Sequence, residues 1–308
     1  MNALAIKLRA RRKNAYCKHR SPSKMLPKQK IVTAIVLTIF ILYAISLIYP
    51  FVYLFFNSFK SNAEFRGLGD FATANIFGFP TRWIWDNYIK AFDEIYVDAI
   101  TTNIWKMYLS SITLAVGETA VSMSLTCAAA YVLARFEFKG RKLVYNMILV
   151  SSFIPAISSL PAIYSFMENT HLINTYLGML ILNAAAFGGP FLFIHSYFKM
   201  IPNSFAESAQ IDGAGNFKIF TTIMIPLAKN GLVTFTILKF LGFWNDYWYP
   251  QLFYSDRPTL AVGIAKIASK QPLPVVSSVM IMAIVPVLIF YAFIQKKLLS
   301  NVLDGGLK

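Results

Sequence analysis

The chain has 308 residues, of which 56% are hydrophobic and 14% are charged, and its mean hydropathy is +0.54. Soluble domains carry about a quarter charged residues, so this composition excludes a disordered chain and disfavours an ordinary soluble globule. Two cysteines, Cys17 and Cys127, exclude a disulfide scaffold. The net charge of +15 could suit a nucleic-acid binder, but in a chain this apolar it is first a signal of membrane topology.

Six long apolar runs follow one another along the chain. Each is long enough to cross a hydrocarbon core of about 30 Å as a helix, and inside lipid a helix satisfies its own backbone hydrogen bonds. The sequence therefore predicts an all-α polytopic membrane protein with six transmembrane helices. The runs cover residues 31–56, 107–134, 143–167, 172–198, 231–254 and 271–295.

The basic residues are distributed unequally between these runs. Most of the 29 Lys and Arg lie in a leader (1–30), in the second-to-third and fourth-to-fifth connections, and in a tail (299–308). Cations are retained on the cytoplasmic side, so both termini are predicted to be cytoplasmic, with the permease domain spanning 31–298. The first run is interpreted as a retained signal anchor, and the leader either as a solvated positive segment or as a helix lying on anionic lipid.

The longest outer connection, 57–106, combines aromatic residues with acidic ones. Such a stretch can fold onto the outer mouth of a membrane protein, or its aromatic residues can form the belt that marks the membrane–water interface. The sequence leaves both interpretations open. The residues concerned are Trp83, Trp85, Tyr88, Phe92, Tyr96, Asp86, Asp93, Glu94 and Asp98.

The connection 199–229 is too long and too patterned for a simple link. Ser204 followed by Glu207 is a capping-box pattern that predicts the start of a short helix. Gly213 suits a left-handed C-terminal cap, and Asn216 can cap a second short helix. Pro226 is predicted to break the chain before the next span. The result is a cytoplasmic helix–turn–helix elbow, a suitable docking surface, which we call the coupling loop.

The coupling loop resembles the EAA loop of the membrane subunits of bacterial ABC importers. That pattern runs Glu-Ala-Ala, three residues, Gly, nine residues, then Ile-x-Leu-Pro. In this chain Glu207-Ser208-Ala209 occupies the triplet, Gly213 follows at the same spacing, and Ile223 to Pro226 ends the pattern. Both gaps match, and the two departures, Ser208 and Ile225, are mild.

Other segments resemble the carbohydrate-uptake branch of these permeases, which includes the smaller membrane subunit of the maltose transporter. The resemblance extends from about residue 31 to the end of the chain, although the tail departs from the Gly-rich ending usual in that branch. The segments that carry it are Asn57-Ser58-Phe59-Lys60, Ala130-Tyr131, 135–141, Pro161 and Tyr164, 172–175, 211–214 and 243–247.

The resemblance implies a subunit of a larger machine in the bacterial cytoplasmic (inner) membrane. A second permease subunit completes the pore, two ATPase subunits hold ATP and Mg, and an extracellular binding protein delivers a sugar. This chain itself then needs no cofactor and binds no nucleic acid. Arg257 and Lys266 become candidate contacts for the binding protein. The residues implied in ATPase coupling are Glu207, Ala209, Asp212, Gly213, Phe217, Phe220, Ile223 and Pro226.

Three ionisable residues lie inside apolar runs, where charges are costly and often functional. Glu118 and Lys239 either pair with each other to hold helices together or line a polar translocation path. Asp246 lies beside Trp244 and Asn245, and aromatic faces with hydrogen-bonding neighbours are suited to a passing sugar. The alternative for this aromatic group is the interfacial belt.

The patterns of several other functions are absent from the sequence. There is no phosphate-binding loop for ATP, no nucleophile with a base, and no metal-ligand spacing among His19, His171 and His195. The sequence therefore predicts a pore subunit of an ABC importer for a sugar or oligosaccharide, without catalytic or metal residues. An ABC permease for a non-sugar solute is one alternative. A stand-alone secondary transporter, with Glu118, Lys239 and Asp246 as a relay, is another.

Overall fold

The computed structural model describes residues 27–93, 95–97, 100–152 and 159–306. Contacts divide the chain into two units, Met1–Tyr53 and Leu54–Lys308. The described part of the first unit belongs to helix α1 (Pro27–Ser58), which contains the first predicted run. Most of the predicted leader and the last two residues of the tail lie outside the described residues.

After α1, the outer connection folds into small elements of its own. A short helix begins where the Ser61 side chain caps it, and a two-stranded antiparallel hairpin pairs Tyr96 with Thr101. This hairpin is the one addition to the helical class that the described residues show. The elements are α2 (Asn62–Arg66), α3 (Asp86–Phe92), β1 (Ile95–Val97) and β2 (Ile100–Thr102).

A buried ionic network organises this outer segment. The Lys60 side chain is fully buried, and its ammonium donates to the carbonyl oxygens of Asn75 at 2.7 Å and Ile76 at 3.4 Å. The buried Glu64 carboxylate accepts from the Asn75 amide at 2.8 Å and from the Thr81 backbone N–H at 2.7 Å. Burial lowers the pKa of the Lys60 ammonium, and the nearby Glu64 carboxylate opposes that shift. Buried charges need such partners, so the network fixes the path of the segment.

Asn87 connects the outer segment to the remainder of this unit. Its buried amide donates to the carbonyl oxygens of Ser58 and Lys60, each at 2.8 Å, and its own carbonyl accepts from the Ser278 hydroxyl at 3.0 Å. Phe79, Trp83 and Trp85 remain exposed on the same segment. The outer segment is therefore folded, and it also presents aromatic rings of the kind that an interfacial belt uses.

The core forms around one central helix, α4 (Ile104–Arg135), which packs against the helices Gly189–Met200, Lys229–Trp244, Tyr176–Leu182 and Leu260–Lys270. Its buried positions include small and polar residues, among them Ala115, Ser122 and Ala130, which allow neighbouring helices to approach closely. The other helices of the unit are α5 (Arg141–Ser151), α6 (Leu160–Asn169), α7 (Tyr176–Leu182), α8 (Gly189–Met200), α9 (Ser204–Ile211), α10 (Asn216–Ile219), α11 (Ile225–Leu227), α12 (Lys229–Trp244), α13 (Trp248–Phe253), α14 (Leu260–Lys270) and α15 (Leu273–Gly306).

Two of the six predicted apolar runs are divided into shorter helices. The run 172–198 is interrupted before Gly188, which has a φ of +136°. The Gly189-Pro190 pair that follows then begins α8. In the run 143–167 the structure describes α5 and α6, with Pro161 in the first turn of α6, and residues 153–158 lie outside the described residues. The run 231–254 ends α12 at Trp244 and resumes as α13. Backbone that is not helical at membrane depth must be enclosed by protein or line a cavity, which marks these interruptions as functional candidates.

Length and composition identify membrane-crossing helices among the described residues. Gln29–Ser58 and Ile104–Arg135 are each long and apolar enough to cross a membrane. The pair Asn216–Leu227 and Lys229–Trp244, bent by 83°, is a third candidate. The predicted helical class is confirmed for the described residues, and these helices are candidates for membrane spans. The count of six spans and the position of the termini stay predictions.

Close contact at Gly117 gives a testable consequence for helix packing. A Cβ there would lie 1.9 Å from the Tyr176 hydroxyl oxygen, which donates to the Thr113 carbonyl at 2.9 Å. We expect Gly117→Ala to displace this side chain and lower the stability of the protein by about 1–3 kcal/mol, measured as the thermal midpoint in detergent. In the matched variant Gly242→Ala the added methyl meets nothing within 4 Å. That variant is expected to gain up to about 1 kcal/mol through helix propensity, so equal losses in both would contradict the packing account.

Candidate functional site

Hydrogen bonds from Arg135 hold the start of the coupling loop, where it follows α8. Arg135, the last residue of α4, donates to the Ile201 carbonyl and to the Asn203 side chain. Arg141, at the start of α5, donates to the Leu133 carbonyl at 2.8 Å. The Arg135 bonds tie the first residues of the loop to the central helix, and the Arg141 bond ties α5 to the end of the same helix, where carbonyl groups lack helical partners.

The first helix of the loop, α9, begins at Ser204 as predicted but without the predicted capping box. Asn203 is the residue that precedes the helix, and it makes no side-chain capping bond. At the other end the prediction is confirmed, because Gly213 has a φ of +80°. The N–H groups of Ala214 and Gly213 donate to the carbonyls of Ala209 and Gln210, the two bonds of a Schellman cap.

The second helical segment differs from its prediction at both ends. Asn216 is the first helical residue rather than the cap, since Gly215 precedes it in an extended conformation. Pro226 does not break the chain, because the turn Phe220–Met224 widens into a π-helix and the helix continues through the proline. A π turn closes i→i+5 bonds, such as Ile225 N–H to Phe220 O, and accommodates a residue without an N–H. The bend falls instead at Ala228, before α12.

The loop has one face anchored to the protein and another exposed. Ile219 and Met224 are buried, and the Phe220 ring lies 4.7 Å from that of Tyr131 on α4. On the exposed face, Ile211 is 86% exposed and Phe217 is 78% exposed. Of the predicted coupling residues, the half-buried ones are Ala209, Phe220 and Ile223, and the exposed ones are Glu207, Asp212, Gly213, Phe217 and Pro226.

Within the described membrane region, Glu118 and Lys239 have separate partners, and the ion pair that was one of their two interpretations is not formed. Glu118 is 2% exposed and accepts from the Asn183 amide at 3.0 Å. Lys239 lies over the ring of Phe243, with its nitrogen 5.4 Å from the ring centroid. The two helices are therefore joined through other contacts, and the interruption after α7 supplies the partner of Glu118. Asn183, which follows a run of apolar residues, is the polar partner that sequence reasoning missed.

A cavity of about 560 Å³ opens at this interruption. Lys239 and Asp246 line it from the α12 side, and Asn183 lines it from the end of α7. Aromatic rings of Phe193, Phe235, Phe243 and Tyr249 complete its wall. The cavity thus combines one cation, one carboxylate and one amide with apolar ring faces, which are the groups that hold a polyhydroxyl solute.

The other two predicted path residues have different surroundings. Asn245 is exposed and ends α12, where its amide donates to the Leu241 carbonyl at 2.8 Å. Trp244 packs toward the cluster around Ile104 and lines a separate, smaller cavity beside Pro286. Asp246 also has a structural part, because its carboxylate accepts from the Trp248 N–H at 3.0 Å at the start of α13.

The two candidate binding-protein contacts lie on neighbouring elements. Arg257, in the loop between α13 and α14, lines a cavity of about 640 Å³ with Tyr176 and Tyr254. Lys266 lies on α14, whose start is held to α4 by the Leu260 N–H bond to the Ser111 hydroxyl at 2.8 Å.

Neither metal nor thiol chemistry is assigned to the described residues. In that part of the chain, no group of three or more His, Cys, Asp or Glu could hold a metal ion. Cys127 is a buried free thiol within α4, and Cys17 lies outside the described range.

A central helix surrounded by interrupted apolar helices, with an anchored helical elbow at one end, is the architecture of a transporter permease. Residues 122–301 match the family described as the binding-protein-dependent transport system inner membrane component, and the chain belongs to that family. It is a membrane permease subunit of an ABC importer, and the resemblance seen in the coupling loop is confirmed.

Relatives of known function extend over most of the chain. The diacetylchitobiose uptake system permease protein NgcG of Streptomyces coelicolor is 32% identical over 273 residues, covering 86% of this chain and 85% of the relative. The trehalose/maltose transport system permease protein MalG of Thermococcus litoralis is 30% identical over 275 residues, covering 87% and 94%. A crystallised bacterial ABC transporter for the acidic polysaccharide alginate shares the fold, with a TM-score of 0.72 at 23% identity, covering 89% of this chain and 99% of that one.

Proposed function

We propose that this chain forms half of the pore through which an ABC importer takes up a sugar or oligosaccharide. The observation that carries the proposal is the ring-lined cavity at the interruption between α7 and α8, with the polar side chains of Asn183, Lys239 and Asp246 in its wall. The names of the two relatives, both of which belong to saccharide uptake systems, support it. A permease for a non-sugar solute remains the second candidate, because membership of the family does not specify the solute.

The proposal places six spans in the bacterial cytoplasmic membrane with both termini in the cytoplasm. The excess of cations in the leader, in the coupling loop and around Arg141 supports this orientation. The division into leader, permease domain and tail follows from it. A cysteine introduced at Ser255, between α13 and α14, should react with an impermeant maleimide added outside intact cells, whereas one introduced at Ser208 should react only after lysis.

ATP and Mg are proposed to bind partner subunits, and the coupling loop to be the contact with them. Its exposed face pairs apolar side chains at Ile211 and Phe217 with the carboxylates of Glu207 and Asp212. Exposed apolar groups rimmed by charge are typical of a protein interface. The anchored face gives such a contact a route to α4 through Phe220 and Tyr131.

Co-purification tests this assembly directly. A stoichiometric ATPase subunit and a second permease subunit should accompany the tagged chain from membranes of the native cell. An extracellular binding protein should associate through the face that carries Arg257 and Lys266. Sugar uptake by the isolated chain, without an ATPase, would instead support the secondary transporter considered above.

Lys239 is proposed to contact the solute in the translocation path. The variant Lys239→Met keeps the length of the side chain but removes the only cation that lines the cavity formed by these described residues. We expect sugar uptake by the assembled transporter to fall about tenfold or more, since a lost charged hydrogen bond is worth roughly 1.5–3 kcal/mol. Lys106→Met removes an exposed lysine from the first turn of α4 and serves as the control. Equal uptake by the two variants would exclude a role for Lys239.

A further inference from the structure

A fourth cavity, separate from the proposed translocation path, lies where the coupling loop begins. It has a volume of about 490 Å³ and is enclosed by the end of α4, the first turns of α5 and the end of α8. Two segments that are far apart in the sequence supply its polar lining. These residues are Arg141, Lys142, Tyr145, Asn146, His195 and Lys199.

The lining is strongly positive. Arg141, Lys142 and Lys199 each bring a cation, and none of the residues that line the cavity is acidic. Arg141 is held in place by its bonds to the Leu133 carbonyl at 2.8 Å and the Ala134 carbonyl at 3.2 Å. Lys142 and Lys199 are exposed, and neither forms an ion pair within the part of the chain that the structure describes. Three cations that converge without a carboxylate favour an anionic ligand.

The wall of the cavity is held in place by a hydrogen bond and by ring packing. His195 is 7% exposed, and its Nε2 donates to the Leu133 carbonyl at 3.3 Å. Its ring lies 4.9 Å from that of Tyr145 and 6.0 Å from that of Phe191, with which it is stacked. A side chain so constrained joins α4, α5 and α8, so the cations surround a fixed space.

An apolar surface continues from the mouth of the cavity along α5. Leu143 is 64% exposed, Met147 62% and Val150 56%. Their spacing of four and three residues places them on one side of the helix. A ligand with an anionic head and hydrocarbon chains matches both features at once, the head in the cavity and the chains along α5. A soluble anion would use only the first.

We propose that this cavity binds the headgroup of an anionic phospholipid from the membrane leaflet on the side of the coupling loop. Basic pockets between membrane helices at that level are suited to such headgroups. The lipid would lie against α5 and α8, immediately before the coupling loop begins at the end of α8. The proposal depends on the cavity and on the α5 surface, and it does not require the sugar assignment.

The experiment measures phosphatidylglycerol binding to the full-length chain in detergent, with phosphatidylcholine as the uncharged reference. Native mass spectrometry reports the bound lipid. In the variant Lys142→Gln/Lys199→Gln we expect phosphatidylglycerol affinity to fall about tenfold or more, because each cation near an anionic headgroup contributes roughly fivefold. The variant Lys30→Gln/Lys139→Gln removes two other exposed lysines and should bind as the wild type does.

Each outcome decides the proposal. A loss confined to the cavity variant, with unchanged thermal stability in the absence of lipid, supports it. An equal loss in both variants means a general surface attraction, and no loss in either means that the cavity is not the site. Inorganic phosphate at millimolar concentration is added in a further arm. If it displaces phosphatidylglycerol stoichiometrically, the ligand is a soluble anion and the lipid proposal is overturned.

Discussion

The variant Gly213→Asp is expected to abolish transport-coupled ATP hydrolysis while the transporter still assembles and still receives its substrate. Gly213 holds a φ of +80° and completes the Schellman cap of α9. It is also exposed, and a Cβ there would meet nothing within 4 Å of this chain. The expected effect is therefore not a clash inside the subunit. It comes from a bulky charge placed at the tip of the elbow that contacts the proposed ATPase partner.

The appropriate control is a glycine with the same backbone conformation that lies outside the coupling loop. Gly69 has a φ of +65° and likewise has nothing within 4 Å of its added Cβ. Gly69→Asp therefore introduces comparable backbone strain, about 1 kcal/mol, in the outer segment. ATPase assays on the reconstituted complex, with and without substrate, compare the two variants. Normal coupled activity in Gly213→Asp, or equal loss in Gly69→Asp, would contradict the coupling assignment.

The second large effect is expected at Lys60. Its ammonium is the donor for the carbonyls of Asn75 and Ile76. Lys60→Met removes that donor while keeping the apolar stem, so these part-buried carbonyls lose a charged partner. We expect a loss of about 1.5–3 kcal/mol in stability, the contribution of a hydrogen bond to a charged group. The thermal midpoint of the detergent-solubilised protein should fall by several degrees.

Lys90→Met provides the comparison for this variant. Lys90 lies on α3 in the same outer segment but is exposed, so its loss should leave the midpoint unchanged within about a degree. Limited proteolysis adds a readout that is specific to the segment. Cleavage between α2 and α3 should accelerate in Lys60→Met alone. An unchanged midpoint together with unchanged cleavage would mean that the buried lysine does not organise the segment.

Local features of the coupling loop were predictable because each depends on a few neighbouring residues. The start of α9 and the left-handed Gly213 are set by backbone preferences that extend over about one turn. The π turn that carries the chain through Pro226 was not predictable in this way. It depends on how Phe220 and Met224 pack against α4 and α8, and the residues they contact there are distant in the sequence.

In the membrane region, too, unusual residues were predictable from the sequence but their contacts were not. The sequence marked Glu118, Lys239 and Asp246 as unusual, because charges are rare in apolar runs. It did not identify their partners. Asn183 reaches Glu118 from the point where the fourth apolar run is interrupted, and the cavity that Lys239 and Asp246 line lies at the same interruption.

By itself, the sequence determined the helical membrane class, the family and the position of the coupling loop. Each of these follows from composition, from the length of apolar runs or from a short motif, which are properties of residues that are neighbours in the sequence. The tertiary structure alone decided which charges meet, where the spans are interrupted, and that Arg141 and Lys199 share one cavity. Those outcomes depend on contacts between residues tens of positions apart, and packing rather than local preference selects such contacts.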